Sequence, residues 1–429
     1  MSGPVANNIF RSSGVIAAAA GGLSWQAVVT ASTLTAEAGN GYLINTTSNT
    51  CTITLPASAE AGDKIIFVDY ARTWGTYKII IDSNGLNYQG DADTYTVEYD
   101  TDGQTVSIVY SGATVGWIPE DDDAVEDEGN IPPTQKAIFY CGEANGAPGL
   151  QNVSNLVTSS GVVGTDVTGV GTARNYLAGA SYGYDKGIFG YGIVSSTDQN
   201  VTNLVTSSGV IGADVSGVGT ARAQLAATTY GGNKAIFAYG YGGSPGGYQG
   251  SNLVNSSGVV AADVTVVGTA RQDPAATGYG TDLAIFAYGV VGASYKNMSN
   301  LVTNVGVIGT DVTGVGSVRS KLGAARYGGD KAIFVYGGIA YPNMLNVSNL
   351  VNNVGVVGAD VTGVGTARNT LAAAEYGGDK AIFGYGTNSS GTQVSLTNLV
   401  NNSGVVAADV TGVGTARGGI AATGYSISA

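Results

Sequence analysis

The sequence predicts an all-β protein: a small N-terminal antiparallel β-sandwich or jelly roll, then a six-bladed β-propeller. Three observations predict it. The 429-residue chain has 68 glycines and 25 tyrosines but only 11% charged residues, a composition of strands and tight turns. Its apolar runs are short and rich in β-branched residues, which argues against helices. From Lys136 onward one block recurs six times, its phenylalanines 48 to 50 residues apart. A repeat of roughly 40 to 50 residues holding four short runs has the size of a propeller blade.

Residues 1–31 are small and weakly patterned. Arg11 is the one basic residue before the short Ala-rich run Val15–Ala20, so neither a signal peptide nor a membrane span is expected. Residues 32–119 alternate β-like runs with turns. The runs are "YLINT" at 42–46, "CTITL" at 51–55, "KIIFVDY" at 64–70, "YKIIID" at 77–82, "YTVEY" at 95–99 and "QTVSIVYS" at 104–111. The "TDG" at 101–103 reads as a hairpin turn joining the last two. Residues 120–135 form an acidic linker: seven of the first nine residues are Asp or Glu, and Pro132 and Pro133 follow. A calcium site there lacks the alternating ligand spacing of an EF-hand loop.

Residues 136–429 carry the repeats. Six of the eight phenylalanines occupy one repeated position: Phe139, Phe189, Phe237, Phe286, Phe334 and Phe383. Four further markers keep fixed offsets. Asn155 is followed eleven residues later by Asp166, then after eight by Arg174, then after eight by Tyr182, and the other five blocks match. Length varies mainly between the Phe run and the asparagine. The chain ends complement each other. The first block begins on a Phe run with no Ala-rich run before it, and the last finishes on an Ala-rich run with no Phe run after it. Residues 417–425 are therefore expected to pair with 136–142, so that the C-terminal strand closes the propeller and no edge is left at the seam.

"GVGTAR" at 169–174 suggests a phosphate loop when met once. A dinucleotide loop needs a helix after it, and six copies are too many, so the run reads as a turn into the Ala-rich strand. The Asp–Arg pair, for example Asp166 with Arg174, reads as a bridge within that turn or as an arginine packed along the next blade. The repeated tyrosines read as filler between blades. Residues 271–286, with Pro274 and Leu283, depart most from the repeat and read as drift.

The absence of histidine removes the commonest general base and metal ligand. A net charge of -13 argues against nucleic acid. Two cysteines are too few for a disulfide scaffold or a structural zinc site. Acidic residues gather in the linker or recur once per blade, so no unique carboxylate pair is expected to catalyse anything. No enzyme activity, cofactor or metal is expected. Recognition is expected in the variable loops 143–152, 193–200, 241–251, 290–299, 338–348 and 387–397, with Tyr241, Tyr248, Tyr295 and Tyr341 as candidate ligand-binding residues.

"TARNTLAAAEYGGDKAIFGYG" at 366–386 resembles a kelch repeat, with a small-residue strand, a turn and a hydrophobic strand. The second strand ends in Tyr385–Gly386 instead of paired glycines, and the later spaced Tyr and Trp are missing, so the blades are kelch-like only. Residues 39–76, 107–119 and the "DKAIFGYG" and "TGVGTAR" repeats resemble bacteriophage tail fibres and related virion appendage proteins. That resemblance implies a structural protein on the virion surface. Its N-terminal region would attach to other tail or capsid proteins, as a homo-oligomer of which a trimer is the common form. Its propeller would bind a host receptor, with glycan the expected class. The alternatives are a decoration or stabilising protein and a glycan-degrading tail spike. Neither nucleic acid nor membrane insertion is expected.

Overall fold

The computed structural model describes residues 23–92, 97–120, 133–146, 149–243 and 247–429. The attachment segment expected within residues 1–31 and the acidic linker with its calcium alternative fall mostly outside them. Among the described residues every regular element is a strand. The chain divides into two compact units, 1–131 and 132–429.

In the first unit the strands are β1 (Ser24–Trp25), β2 (Thr33–Thr35), β3 (Asn40–Ile44), β4 (Cys51–Thr54), β5 (Lys64–Asp69), β6 (Ile79–Asp82), β7 (Val97–Tyr99), β8 (Thr105–Tyr110) and β9 (Trp117–Pro119). They build two sheets, ordered β1-β3-β5-β8-β9 and β2-β4-β6-β7. The expected antiparallel arrangement is corrected here. β1, β3 and β5 run parallel, as do β2, β4 and β6, and only β7, β8 and β9 are antiparallel additions. From β1 to β6 successive strands alternate between the sheets, so each coil of chain there adds one strand to both. Alternation such as the buried–intermediate pattern of β5 tells which face is buried and says nothing of the neighbour's direction. The expected 101–103 hairpin is also absent, because β7 pairs with β6 and β8 with β5. Asp102 accepts from Gly75 N (2.8 Å), and Asp69 accepts from Gly103 N (2.8 Å), which fixes the turn as a crossing between sheets. Both sheets enclose one core around Trp74, Trp117, Phe67, Ile53 and Ile108.

Among the described residues the second unit holds six larger sheets and four two-stranded ones. The six larger sheets are alike. Each is built on the same three antiparallel strands: an Ala-rich inner strand, a Phe strand and an Asn strand. The inner strands are Ala178–Tyr182, Ala226–Tyr230, Ala275–Tyr279, Gly323–Tyr327, Ala372–Tyr376 and Ala421–Tyr425. Each pairs with the Phe strand that follows it in sequence, except the last. Ala421–Tyr425 pairs with Lys136–Tyr140 at the start of the unit, from Lys136↔Tyr425 to Tyr140↔Ala421, and Arg417–Gly418 pairs with Glu143–Ala144. The run after each Asn strand, expected as a fourth strand, joins mainly through isolated bridges such as Ser154↔Val167 and Val157↔Val163.

Every inner strand adjoins two others, and the succession returns from Ala421–Tyr425 to Ala178–Tyr182. Crowding there explains the small residues. A Cβ on Gly179 would lie 2.7 Å from the Phe189 ring and 2.8 Å from Ala422 O. All six repeat phenylalanines are buried, and most meet a tyrosine of the adjoining sheet, as in Tyr191–Phe237 (5.1 Å) and Phe139–Tyr385 (5.1 Å). Tyr182 and its five equivalents are also buried. Each rests on a glycine of the next sheet, for example Tyr182 on Gly258 and Tyr425 on Gly209.

Candidate functional site

Two charged residues recur in every block, an aspartate and an arginine. All six arginines are fully buried. Arg417 shows the arrangement: Nε donates to Cys141 O (2.7 Å), one terminal nitrogen to Thr415 O (3.0 Å) and the other to Asn155 Oδ1 (2.6 Å). Its guanidinium lies over the Tyr385 ring, 4.5 Å from the centroid, and 3.8 Å from Asp166. So the aspartate eight residues upstream is not the arginine's partner. Asp166 faces Arg417, and Arg174 faces Asp214 of the next block at 3.9 Å. Burial works against ionising Asp166. The Thr415 hydroxyl and amide, the Asn155 amide and Arg417 outweigh it and hold the carboxyl below the usual range. The arginines and aspartates are therefore consumed in clasping one sheet to the next.

A different position carries free chemistry. Two residues after each arginine stand Tyr176, Gln224, Asp273, Lys321, Thr370 and Gly419. Their main chains bond in a cycle: Tyr176 N to Gly419 O, Gln224 N to Tyr176 O, Asp273 N to Gln224 O, Lys321 N to Asp273 O, Thr370 N to Lys321 O and Gly419 N to Thr370 O, at 2.8 to 3.2 Å. These residues and the inner strands below them line one cavity of about 120 Å³. All six have left-handed backbones, with φ from +50° at Asp273 to +62° at Gly419. That region costs a residue with a Cβ roughly 1–2 kcal/mol, while glycine enters it freely. Gln224→Gly should accordingly raise stability by about 0.5–1 kcal/mol in urea unfolding, after the entropy glycine adds to the unfolded chain.

Asp273 is 8% exposed, and its carboxylate stands 4.0 Å from Lys321 Nζ. Lys321 in turn lies 5.4 Å from the Tyr176 ring centroid. Burial pushes the Asp273 carboxyl up to about 6, with Lys321 offsetting only part of it. Burial pulls Lys321 the other way, but Asp273, Tyr176 and Tyr295 outweigh it and hold the ammonium above its ordinary value. A carboxyl harder to ionise in the fold than in the unfolded chain stabilises below pH 4 and loses that contribution as pH rises to about 6. Wild-type stability measured against Asp273→Asn should therefore fall by about 3 kcal/mol between pH 3.5 and pH 7.5, read by urea unfolding of both proteins.

The variable loops start beside this cycle. The residue preceding each cycle member pairs with a loop's first residues: Asn175 with Ile193, Ala223 with Tyr241, Gln272 with Val290, Ser320 with Gly338, Asn369 with Thr387 and Gly418 with Glu143. The four tyrosines expected to bind ligand are spread among these loops. Tyr241 is half-buried, beside Ala223. Tyr248 lies over the Arg222 guanidinium (4.8 Å), with its hydroxyl 3.4 Å from Thr220 Oγ1, and so supports the frame. Tyr295 is half-buried near Lys321. Tyr341 is 62% exposed and approaches Gly391 of the next loop.

Sequence reasoning passed over the cycle residues. Asp273 lay inside the stretch read as drift. The available signal was the position two after each arginine, which differs in all six copies although the arginine before it never changes. Among the described residues no group of His, Cys, Asp or Glu could hold a metal ion, and no helix is long and apolar enough to cross a membrane. Both cysteines are free and buried. No protein-family model and no curated protein matches the chain.

Proposed function

We propose that residues 132–429 form a six-bladed, kelch-like β-propeller and that the protein is a bacteriophage tail fibre or similar virion appendage. The propeller binds a host-surface glycan, and the N-terminal region joins other virion proteins, with several chains sharing that hub. The blade reading is supported by the return of the inner strands to their start and by the cycle of six main-chain bonds. One observation carries the binding reading. The blades are near copies, yet the variable loops and the cycle position that differs in every copy meet on one face. A rigid frame displaying variable loops is the usual design of a recognition surface, and Tyr241, Tyr295 and Tyr341 belong to it.

The test is adhesion of the labelled full chain to cells of the phage's host, before and after periodate oxidation of surface sugars. Saturable adhesion abolished by periodate supports the reading. Absence of adhesion, with virions still infectious when the protein is removed, leaves a decoration or stabilising role. Release of sugar fragments from the host surface would place the protein among tail-spike enzymes.

A further inference from the structure

We propose that the mouth of the inner cavity is a binding site for one neutral sugar residue, held by Gln224, Asp273, Lys321 and Tyr176. The inference rests on the glycan-binding reading and assigns its central contact. The hydrogen-bond cycle uses only main-chain nitrogens and oxygens, so it needs no side chains. Gly419 closes it without one, and the shared left-handed backbone favours glycine at every member. Five side chains are nevertheless present, and all five are different. They stand where six strands converge, and all five residues line the same small cavity.

Their chemistry specifies the ligand. Thr370 is largely committed, since its hydroxyl donates to Asn369 O (2.7 Å) and meets Thr387 Oγ1 (3.1 Å). The Asp273 carboxylate accepts no hydrogen bond among the described residues, and at 4.0 Å Lys321 neutralises it without closing a tight contact. A carboxylate that takes up two hydroxyl donors, an ammonium that donates back, an amide that does both and an aromatic ring alongside are the groups that fit a hexose. Charges of both signs in one small mouth disfavour an acidic or a basic sugar, because either would set one like-charged group against it.

The experiment is saturation-transfer NMR on the full chain with the methyl glycosides of glucose, galactose, mannose and N-acetylglucosamine, each at millimolar concentration. At least one should bind wild type, with affinity lowered roughly tenfold or more in Asp273→Asn and Lys321→Met. Gln224→Gly should also bind more weakly while melting no lower than wild type, which separates loss of a contact from loss of the fold. The inference is overturned if no glycoside binds, or if the folded variants bind as well as wild type. Host-cell adhesion is scored separately. Adhesion that survives these substitutions overturns the central contact and leaves the adhesin reading standing. Glycoside binding without adhesion does the reverse.

Discussion

Removing residues 417–429 from the full chain will abolish the cooperative thermal transition of the second unit and produce soluble aggregates. The deletion takes the inner strand Ala421–Tyr425 from Lys136–Tyr140 and leaves that strand an unpaired edge. It uncovers the core into which Ile420 and Ala422 pack beside Phe139 and Ile382. It also removes Arg417, so that Asn155 Oδ1 and Cys141 O lose their donor and Asp166 loses its nearby cation. Loss of a buried charged partner costs about 3–5 kcal/mol. The uncovered large apolar side chains add about 1.5–3 kcal/mol each. The total approaches the whole stability of an ordinary domain, about 5–15 kcal/mol. Calorimetry and size-exclusion chromatography read the outcome. A second-unit transition within a few degrees of wild type would show that closure at this seam is dispensable. Removing only residues 427–429 is the control, and it should change neither readout.

The strands of the second unit were legible because each repeats six times. A Phe at constant spacing, an Ala-rich run and a displaced start and end carry the pairing of 136–140 with 421–425 in one dimension. Direction was not legible in the first unit. The alternation that marks β3, β4 and β5 as half-buried is the same for a parallel coil and a hairpin, and "TDG" bends the chain under either. The arginine's partner was half legible. Asp166 and Arg174 are near in sequence, but an eight-residue separation spans the turn that carries the arginine across to the next sheet, and there it meets Asp214. The mouth residues were least legible. A repeat search rewards agreement, and these six positions matter because they disagree.

The same clasp, cut at two places, should give two different losses. Arg368→Met will destabilise the protein by about 3–5 kcal/mol, whereas Arg271→Met will cost about 1–2 kcal/mol. Arg368 donates to Tyr385 O (2.8 Å), Thr366 O (3.1 Å) and Asn398 Oδ1 (2.7 Å), and lies 3.9 Å from Asp409. Methionine fills the volume over the Tyr336 ring but leaves three buried acceptors without a donor. Arg271 starts from a poorer position. Its Nε has no partner, nor has Asn300 Oδ1, and its second terminal nitrogen reaches Phe286 O at 3.3 Å. The cause lies five residues upstream. Where five blocks have glycine, this one has Val266, 8% exposed and packed in the core that includes Tyr239. A Cβ at the equivalent Gly169 would collide with Asn152 O and press on the Tyr140 ring at 2.9 Å. The block accommodates Val266 by replacing that asparagine with Gln249 and by drawing Val264–Thr265 into pairing with Gly250 and Ser251. The arginine below is left out of register with Asn300, although its stacking on Tyr239 (4.1 Å) remains. Urea unfolding of the two single variants measures the difference. Equal losses would mean that stacking, and not the hydrogen-bonded clasp, holds the sheets together. Restoring the common residues with Val266→Gly and Gln249→Asn should bring the cost of Arg271→Met up to that of Arg368→Met, because Asn300 then regains a donor to lose.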